Sequence, residues 1–543
     1  MATSDELMPA GDEGARAVGA GDISLDQSVV DKLHKGALGL PAILFVCAAA
    51  IAPAASMLFN VPVMASQAGA ATPLVFLLAS IGILLLGVPV VYFARRLSSA
   101  GGFYTWVRHG LGRGAAFQVG WLMLGGYALF EAALQATVGG SLDINLSNVG
   151  FHMPGGWVTY AVILTAIVGI LAYFDVKASI WVMAPFAVAE VLALIVLDAA
   201  ITLHGGKQGH DLVHTFTTAG STLKGVAPGG TLGIGIAMAL GILAFVGFET
   251  GAVYGEEARN PRRTIPIAVF SLLLSLALLY TWTSYSVTIG VGWQNAGTVL
   301  GNVNNAPQQY IDLASSYVGS WLGIALIVFV VTSNFASAFA MHQAMVRYFY
   351  AMGRDGILPH VFGKTHARWK SPYIASLAQT VFSVVVILLL GLVVQHANKD
   401  GSTTYALGFA NGTAWQQVSG VYSFGWLASV VTMCLIVVYI ITNIAASFFA
   451  RSRNELHPFT HIIAPVLSTL LLLLPLASYV LPAIPGAIGN YFTNLGFAPL
   501  AFPTNILPIF VIVWVIAGLV YARYLSRTAP ERYEKLGSII ETN

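Results

Sequence analysis

Charged residues are scarce in this sequence. Of its 543 residues only 9% are Asp, Glu, Lys or Arg, whereas 57% are hydrophobic and the mean hydropathy is +0.77. Soluble domains carry about 25% charged residues, so a soluble fold of this composition could not cover its surface with polar groups. The composition therefore excludes an ordinary soluble protein and predicts an integral membrane protein, whose surface faces the lipid bilayer.

Cysteine is scarce as well, and the common catalytic and metal-binding motifs are absent. The two cysteines, Cys47 and Cys434, lie in apolar stretches and form neither a disulfide framework nor a CxxC motif. The loops contain no HExxH, GxSxG or Walker motif, and no basic block with interleaved aromatics. We therefore expect no enzymatic activity, no metal or other cofactor, and no nucleic-acid partner.

Long apolar stretches, by contrast, are abundant. A membrane-spanning helix needs about 20 consecutive apolar residues. Twelve stretches meet this requirement, which predicts an all-α membrane fold with spans near residues 38–64, 72–94, 115–139, 156–174, 179–203, 231–254, 265–290, 319–349, 373–395, 421–449, 459–482 and 504–525.

The distribution of Lys and Arg agrees with twelve spans. Cytoplasmic loops carry an excess of these residues, and an even number of spans puts both termini on one side. Of the 25 Lys and Arg residues, only Lys207, Lys224 and Lys399 fall on the opposite side. We therefore predict a multi-pass protein of the plasma (cell inner) membrane with both termini in the cytoplasm. Residues 1–36 are polar and acidic, and we expect a disordered tail there rather than a cleavable signal.

Two of the predicted spans contain helix-breaking residues. Span one has Pro53 among small residues, and span six has Gly247 and Gly251 on either side of Glu249. A broken helix is tolerated in lipid only where it lines a cavity in the protein. Breaks at matching positions in two halves of a chain are typical of inverted-repeat transporters with a binding site at the bilayer midplane. Free amides there attract an anionic group and free carbonyls a cationic one, as a zwitterionic amino acid would present.

Three segments carry a resemblance to a known family. Residues 245–249 (FVGFE) and 255–268 (GEEARNPRRTIPIA) resemble the signature of the amino acid–polyamine–organocation permeases. Residues 99–112 (SAGGFYTWVRHGLG) and 347–359 (RYFYAMGRDGILP) are similar to the family's segments after span two and near span eight. The resemblance runs in order from about residue 36 to 450, whereas spans eleven and twelve fit by count only.

The resemblance implies a LeuT-type fold, in which two inverted repeats of five helices work by alternating access. It implies a secondary amino acid transporter, proton-coupled or an exchanger, and no enzyme. A polyamine or other organic or inorganic cation is the alternative substrate. The domains would be a disordered tail (1–36), the first repeat (37–204), the second repeat with an outer loop (205–450), helices eleven and twelve (451–526) and a cytoplasmic C-tail (527–543).

The resemblance also implies a binding site between the broken helices. The span-one backbone would offer amides to a carboxylate, and the span-six backbone would meet an amino group, with Phe245 near an occluding position. Polar residues of span eight would line the same pocket, although ordinary interhelical hydrogen bonding is the alternative for them. The implied substrate-binding residues are Ile51, Ala52, Ala54, Ala55, Ser56, Ala244, Phe245, Gly247, Ser333 and Asn334.

The sequence departs from the family at two places. Many members have a glycine-rich amide nest in span one, where this chain has Ala-Pro-Ala-Ala-Ser, and the Pro53 nitrogen cannot donate a hydrogen bond. Many members also carry a Lys thirteen residues after a Val-Lys pair in span five, where this chain has Glu190 after Val176-Lys177. Glu190 could take up a proton, bind a cation or pair with another group.

Ionisable residues inside a span are functional candidates, and three acids lie deep in this chain. Glu131, Glu190 and Glu249 are candidates for coupling or gating, with neutral interhelical hydrogen bonding as the alternative. Asp198 is expected near the outer end of span five, in an interfacial position. Two aromatic residues of span ten, Tyr422 and Trp426, could form an outer gate or only pack at the membrane interface.

Overall fold

The structure is a computed structural model that describes residues 38–97, 99–174, 176–223, 230–303, 306–398, 403–410, 415–497, 500 and 502–537. The predicted N-terminal tail, Lys224 and Lys399 lie outside the described residues.

The described chain is built mainly of α-helices. The first group is α1 (Leu40–Ile51), α2 (Pro53–Ala68), α3 (Thr72–Ala94), α4 (Phe103–Leu111), α5 (Arg113–Asn148), α6 (Trp157–Tyr173), α7 (Val176–His204), α8 (Val213–Phe216), α9 (Gly230–Leu243) and α10 (Thr250–Val253). The second is α11 (Pro261–Val291), α12 (Gln308–Tyr317), α13 (Ser320–Arg354), α14 (Tyr373–Gly391), α15 (Gly420–Ser452), α16 (Ala464–Ala483), α17 (Ala487–Asn494), α18 (Leu507–Thr528) and α19 (Pro530–Lys535).

These helices make the chain a multi-pass membrane protein. In the described ranges, 9 helical stretches are long and apolar enough to cross a membrane, and the first, Leu40–Ala94, contains α1 to α3. Trp157–Tyr173 and Gly233–Leu243 are shorter apolar helices. Every apolar stretch predicted from the sequence coincides with a helix, but α5 and α13 extend several residues beyond their predicted spans.

A small β-sheet lies in the segment between α14 and α15, where the sequence indicated only a polar loop. Its strands are β1 (Val393–Ala397), β2 (Thr403–Leu407) and β3 (Gln416–Gln417), in the order β2-β1-β3. β1 pairs antiparallel with β2, with Gln395 opposite Tyr405. The strands are short, and their polar residues gave no clear alternation to predict them.

The first predicted break lies at Ala52, between α1 and α2. Ala52 has φ 52° and ψ 74°, in the left-handed region, and its N–H still donates to the carbonyl of Ala48 at 3.0 Å. Pro53 then starts α2, because a proline has no N–H to continue the ladder and is favoured at the first position of a helix.

The second break lies opposite the first. Helix α9 ends at Leu243, the chain turns through residues 244–249, and α10 begins at Thr250. Gly247 has φ 116°, and a Cβ atom there would lie 2.8 Å from the carbonyl carbon of Ala50 and 2.9 Å from the nitrogen of Ile51. The two interrupted helices therefore touch backbone to backbone at their breaks.

This contact makes Gly247 a sensitive position. We expect Gly247→Ala to lower stability by at least about 1–3 kcal/mol, because the methyl group meets backbone and the positive φ is strained for alanine. Thermal unfolding of the purified protein in detergent measures the effect. Gly425→Ala in α15 is the matched control, since a Cβ atom there meets nothing within 4 Å. Equal unfolding temperatures for the two variants would contradict the close contact.

Candidate functional site

A small cavity lies beside the two breaks. Its volume is about 20 Å³, which is room for roughly one water molecule. The lining comes from the break in α1–α2 and from α5, α9, α13 and α15, and its residues are Ile51, Ala52, Ala55, Ser56, Phe59, Asn60, Phe130, Leu134, Leu243, Asn334, Ser337 and Phe424.

The predicted binding residues divide into two groups by their relation to this cavity. Ile51, Ala52, Ala55, Ser56 and Asn334 line it. The other predicted residues lie outside its lining, and they are Ala54, Ala244, Phe245, Gly247 and Ser333. Of this second group, Ser333 accepts a hydrogen bond from the broken backbone, and the others belong to the two breaks.

Phe245, which was expected near an occluding position, lies outside the lining of this cavity. Its ring packs on Tyr280 of α11, with centroids 5.3 Å apart. Leu243, the last residue of α9, lines the cavity instead, because the chain leaves the helix there and turns Phe245 away.

Three phenylalanines that were not predicted from the sequence line the cavity. Phe59 comes from α2, Phe130 from α5 and Phe424 from α15. Phe424 stands between the two predicted gate residues, so the correct helix had been chosen but the wrong face. Residues two apart on a helix point in different directions, and no sequence signal distinguished them.

Tyr422 and Trp426 belong to a different region. Trp426 packs on Tyr405 at 5.4 Å and lines an apolar outer cleft of about 750 Å³ with Phe502 and Phe510. Tyr422 is 37% exposed. Neither residue lines the cavity at the breaks.

Helix α13 supplies hydrogen bonds to the backbone at the first break. The Ser337 hydroxyl donates to the carbonyl of Ala50 at 2.6 Å, and the N–H of Ala55 donates to the Ser333 hydroxyl at 3.3 Å. Within the break itself, the Ser56 hydroxyl donates to the carbonyl of Ile51 at 2.6 Å. These contacts satisfy backbone groups that the interrupted helix leaves without partners.

Glu190 joins the same hydrogen-bonded group from the middle of α7. Its carboxylate accepts from the Ser333 hydroxyl at 2.7 Å, and the N–H of Ala54 faces it as well. The residue is only 2% exposed. The N-terminus of α2 thus carries a protein carboxylate, a position that the helix dipole favours for an anion.

Glu249 holds the second break in a similar way. It accepts hydrogen bonds from Tyr127 at 2.6 Å, from Tyr439 at 3.0 Å and from the N–H of Gly247 at 3.1 Å. It therefore ties the turn after α9 to α5 and α15, and it does not line the cavity.

Glu131 lies behind the cavity wall, next to the lining residue Phe130. One carboxylate oxygen lies 3.1 Å from Nδ1 of His342, and the other accepts from Gln379 at 2.6 Å. His342 also lies 2.8 Å from the Ser376 hydroxyl. His342 was missed from the sequence, because a single histidine in an apolar stretch has no partner at a recognisable spacing.

Asp198 is not interfacial, so the expectation for it was wrong. It is fully buried, and it accepts hydrogen bonds from Ser286 at 2.5 Å and from Thr283, both on α11. The position of Asp198 near the end of span five suggested that its side chain would be exposed, but α11 and α12 cover this face of α7.

Two buried ion pairs lie between the segment after α10 and the last turns of α13. Arg347 forms a bidentate pair with Glu257 at 2.7 and 3.0 Å, and Arg354 pairs with Glu256 at 2.8 Å. Burial alone would raise the pKa of Glu256, but its hydrogen bond and ion pair with Arg354 outweigh burial and lower that pKa below its usual value. Glu256 therefore stays charged at neutral pH.

The polar groups on the cavity wall are neutral. They belong to Ser56, Asn60, Asn334 and Ser337, and no acidic or basic side chain is among the lining residues. Among the residues that the structure describes, no group of three His, Cys, Asp or Glu side chains is arranged to hold a metal ion.

Known proteins resemble this chain over most of its length. A family model described as "Amino acid permease" matches residues 42–529. The branched-chain amino acid permease BcaP of Lactococcus lactis subsp. cremoris (strain MG1363) is 26% identical over 57% of this chain and 67% of its own length.

Two eukaryotic relatives are similarly distant. The vacuolar cationic amino acid transporter 4 of Arabidopsis thaliana is 26% identical over 59% of this chain and 53% of its own length. Cationic amino acid transporter 4 of Mus musculus is 28% identical over 60% of this chain and 51% of its own length. The chain thus spans about half to two thirds of the relatives that it matches.

The relatives are permeases and transporters, which confirms that the chain is not an enzyme of the classes considered. The match over residues 42–529 also confirms the resemblance of the shorter motifs and extends it through α16 and α18, where those motifs gave no support. The chain belongs to the amino acid permease family, within the amino acid–polyamine–organocation superfamily.

Proposed function

We propose that this protein carries amino acids across the plasma membrane by alternating access. The proposal includes twelve spans, both termini in the cytoplasm, and a LeuT-type pair of five-helix repeats with the domain limits expected from the sequence. It is supported by a helix at each of the twelve predicted stretches and by the relatives, whose names are those of amino acid permeases and transporters.

One observation carries the proposal: the two helix breaks meet beside a small cavity. Backbone amides at the start of α2 and carbonyls at the ends of α1 and α9 are the groups that recognise a zwitterion. The proposed binding residues are therefore those of the two breaks together with Ser333 and Asn334. Because the cavity holds only about one water, binding requires its walls to separate, as alternating access does.

The cavity wall favours a substrate with a neutral, apolar side chain. Three phenylalanines, two leucines, one isoleucine and small residues make up most of the lining, and all the lining polar groups are neutral. Two of the three deep carboxylates, which could pair with a cationic substrate, make contacts away from the cavity. Glu131 meets His342 and Gln379, and Glu249 meets two tyrosines. A cationic amino acid or polyamine is the less favoured alternative.

Glu190 is the proposed coupling group, because it occupies the place where a substrate carboxylate would bind. When it is ionised, it repels a second carboxylate and accepts the hydrogen bonds offered by Ser333 and Ala54. When it takes up a proton, the repulsion ends and the Ala54 N–H can turn to the substrate. Proton binding and amino acid binding would then favour each other, as coupling requires.

We expect Glu190→Gln to remove the pH dependence of transport while the protein stays folded. The amide keeps the size of the side chain but binds no proton, so an inward pH gradient should no longer drive accumulation in proteoliposomes. Substrate affinity should become independent of pH, whereas the unchanged protein should bind more tightly at acidic pH. Glu190→Lys restores the residue usual in the family and should likewise abolish the pH dependence.

An exposed carboxylate provides the control for Glu190. Asp312 lies on the surface of α12, and its hydrogen-bond partner is Gln308 at 2.8 Å. Asp312→Asn should leave transport unchanged. If uptake by Glu190→Gln keeps its full pH dependence, Glu190 is not the coupling group, and another titratable group carries the proton.

A thermal-shift screen tests the substrate class. We expect leucine, isoleucine, valine or phenylalanine to raise the unfolding temperature, because each would fill the apolar wall, and we expect no shift from arginine, lysine or putrescine. A ligand at 100 times its Kd stabilises the folded state by about 2.7 kcal/mol, which such a screen detects. A shift with the cationic compounds alone would favour the alternative substrate.

The pair of Arg347 and Glu257 is the proposed inner gate. Arg347→Met should lower stability by about 3–5 kcal/mol, because it leaves the buried carboxylate of Glu257 unpaired. Adding Glu257→Met should recover much of this loss. Thermal unfolding checks both variants, with Arg113→Met as the control, since Arg113 and its partner Glu534 are 41% and 64% exposed. Similar losses for Arg347→Met and Arg113→Met would contradict a buried gate pair.

A further inference from the structure

Asp198 is a buried carboxylate to which the proposed mechanism gives no role. Both of its oxygens accept hydrogen bonds from hydroxyl groups of α11, those of Ser286 and Thr283. In the described part of the chain, no Lys, Arg or His pairs with it. A carboxylate buried in a membrane without a cation is costly in its ionised form, and such residues usually belong to ion or proton pathways.

A buried hydroxyl without a partner faces the same carboxylate. Tyr310 of α12 is fully buried and interacts electrostatically with Asp198. Its hydroxyl has no hydrogen-bond partner within the described residues. Buried polar groups normally have a hydrogen-bond partner. The unpaired Tyr310 hydroxyl therefore indicates that the site around Asp198 binds a further polar species, such as a proton carrier.

Asp198 and Glu190 lie two helical turns apart on α7. At 1.5 Å per residue they are separated by about 12 Å along the helix axis, with Asp198 on the outer side. The neighbouring helix α11 bridges this distance, because Thr283 contacts Asp198 and Tyr280 lies one turn further in. Tyr280 is buried and lies near both Ser56 and Glu190.

The outer end of this row of groups approaches the surface. Tyr285, next to Ser286, has its hydroxyl 3.0 Å from Nδ1 of His210, which is exposed. Asp198 itself meets the hydroxyl groups of Ser286 and Thr283 from α11, and Tyr310 from α12 lies near it, so none of the groups next to it is a cation. His210 is the basic group of the row and lies at its exposed end.

We propose that Asp198 is a proton-binding site through which protons from the outer side reach Glu190. In each transfer the carboxylic acid of Asp198 gives its proton to the Thr283 oxygen, and Thr283 gives its own hydroxyl proton to a bridging water that passes a proton to Tyr280. The Tyr280 hydroxyl, which has no hydrogen-bond partner within the described residues, gives its proton to Glu190 through a second bridging water. Asp198 becomes a carboxylate, Glu190 becomes an acid, and the hydroxyl groups are restored with one proton moved. This inference rests on the proposed coupling role of Glu190.

The test follows proton influx into proteoliposomes that contain a trapped pH-sensitive dye, with leucine as the probe substrate and acid outside. Asp198→Asn should lose most leucine-dependent proton influx and the accumulation that it drives. Leucine counterflow, in which no net proton moves, should continue and shows that the variant is folded. Asp312→Asn, which removes an exposed carboxylate from α12, should behave as the unchanged protein.

A second variant keeps the test decisive if Asp198→Asn does not fold. Tyr280→Phe removes only a hydroxyl and keeps the ring that packs on Phe76 and Phe245, and it should show the same loss of proton influx. Normal influx in both variants, alongside a defect in Glu190→Gln, would overturn this inference alone. Absence of leucine-dependent influx in the unchanged protein, or a requirement for sodium, would overturn both this inference and proton coupling at Glu190.

Discussion

The rest of the site depends on one constraint, which is the need to satisfy broken backbone inside a membrane. Ala52 in the left-handed region and Pro53 without an N–H interrupt the first helix, and lipid offers no hydrogen bonds to the groups set free. Two serines of α13 and the carboxylate of Glu190 supply those bonds. On the proposed mechanism, the same groups that make the break stable are the ones that a substrate must displace or join.

This constraint also explains how distant elements act together. A displacement of α2 relative to α13 changes the Ser333 contact, and through it the partner of Glu190 on α7. On the other side of the cavity, Gly247 touches the first break and donates to Glu249, which two tyrosines hold. The two breaks and the four surrounding helices α5, α7, α13 and α15 are thus linked by hydrogen bonds and by the close contact at Gly247, so that a local change is felt at both breaks.

The sequence was sufficient to predict features that depend on composition or on a single residue type. The bounds of α3, the interruption at Pro53 and the burial of Glu190 follow from hydropathy, from proline chemistry and from a charge in an apolar stretch. It was insufficient to predict which side chains line the cavity or are buried, because these features depend on three-dimensional packing. Leu243 replaces Phe245 at the cavity, and Asp198 is buried by a neighbouring helix. Both depend on the direction of a side chain after a turn or on the position of another segment.

The reversal of charge at span five changes the physical argument for coupling. A lysine at this position would add a positive charge near the N-terminus of α2 and assist a substrate carboxylate whenever it is protonated. A glutamate assists only by losing its charge, so on the proposed mechanism the proton must arrive before or with the amino acid. A supply of protons to a buried carboxylate is then part of the transport cycle, and the hydroxyl groups between α7 and α11 become as important as the binding site itself.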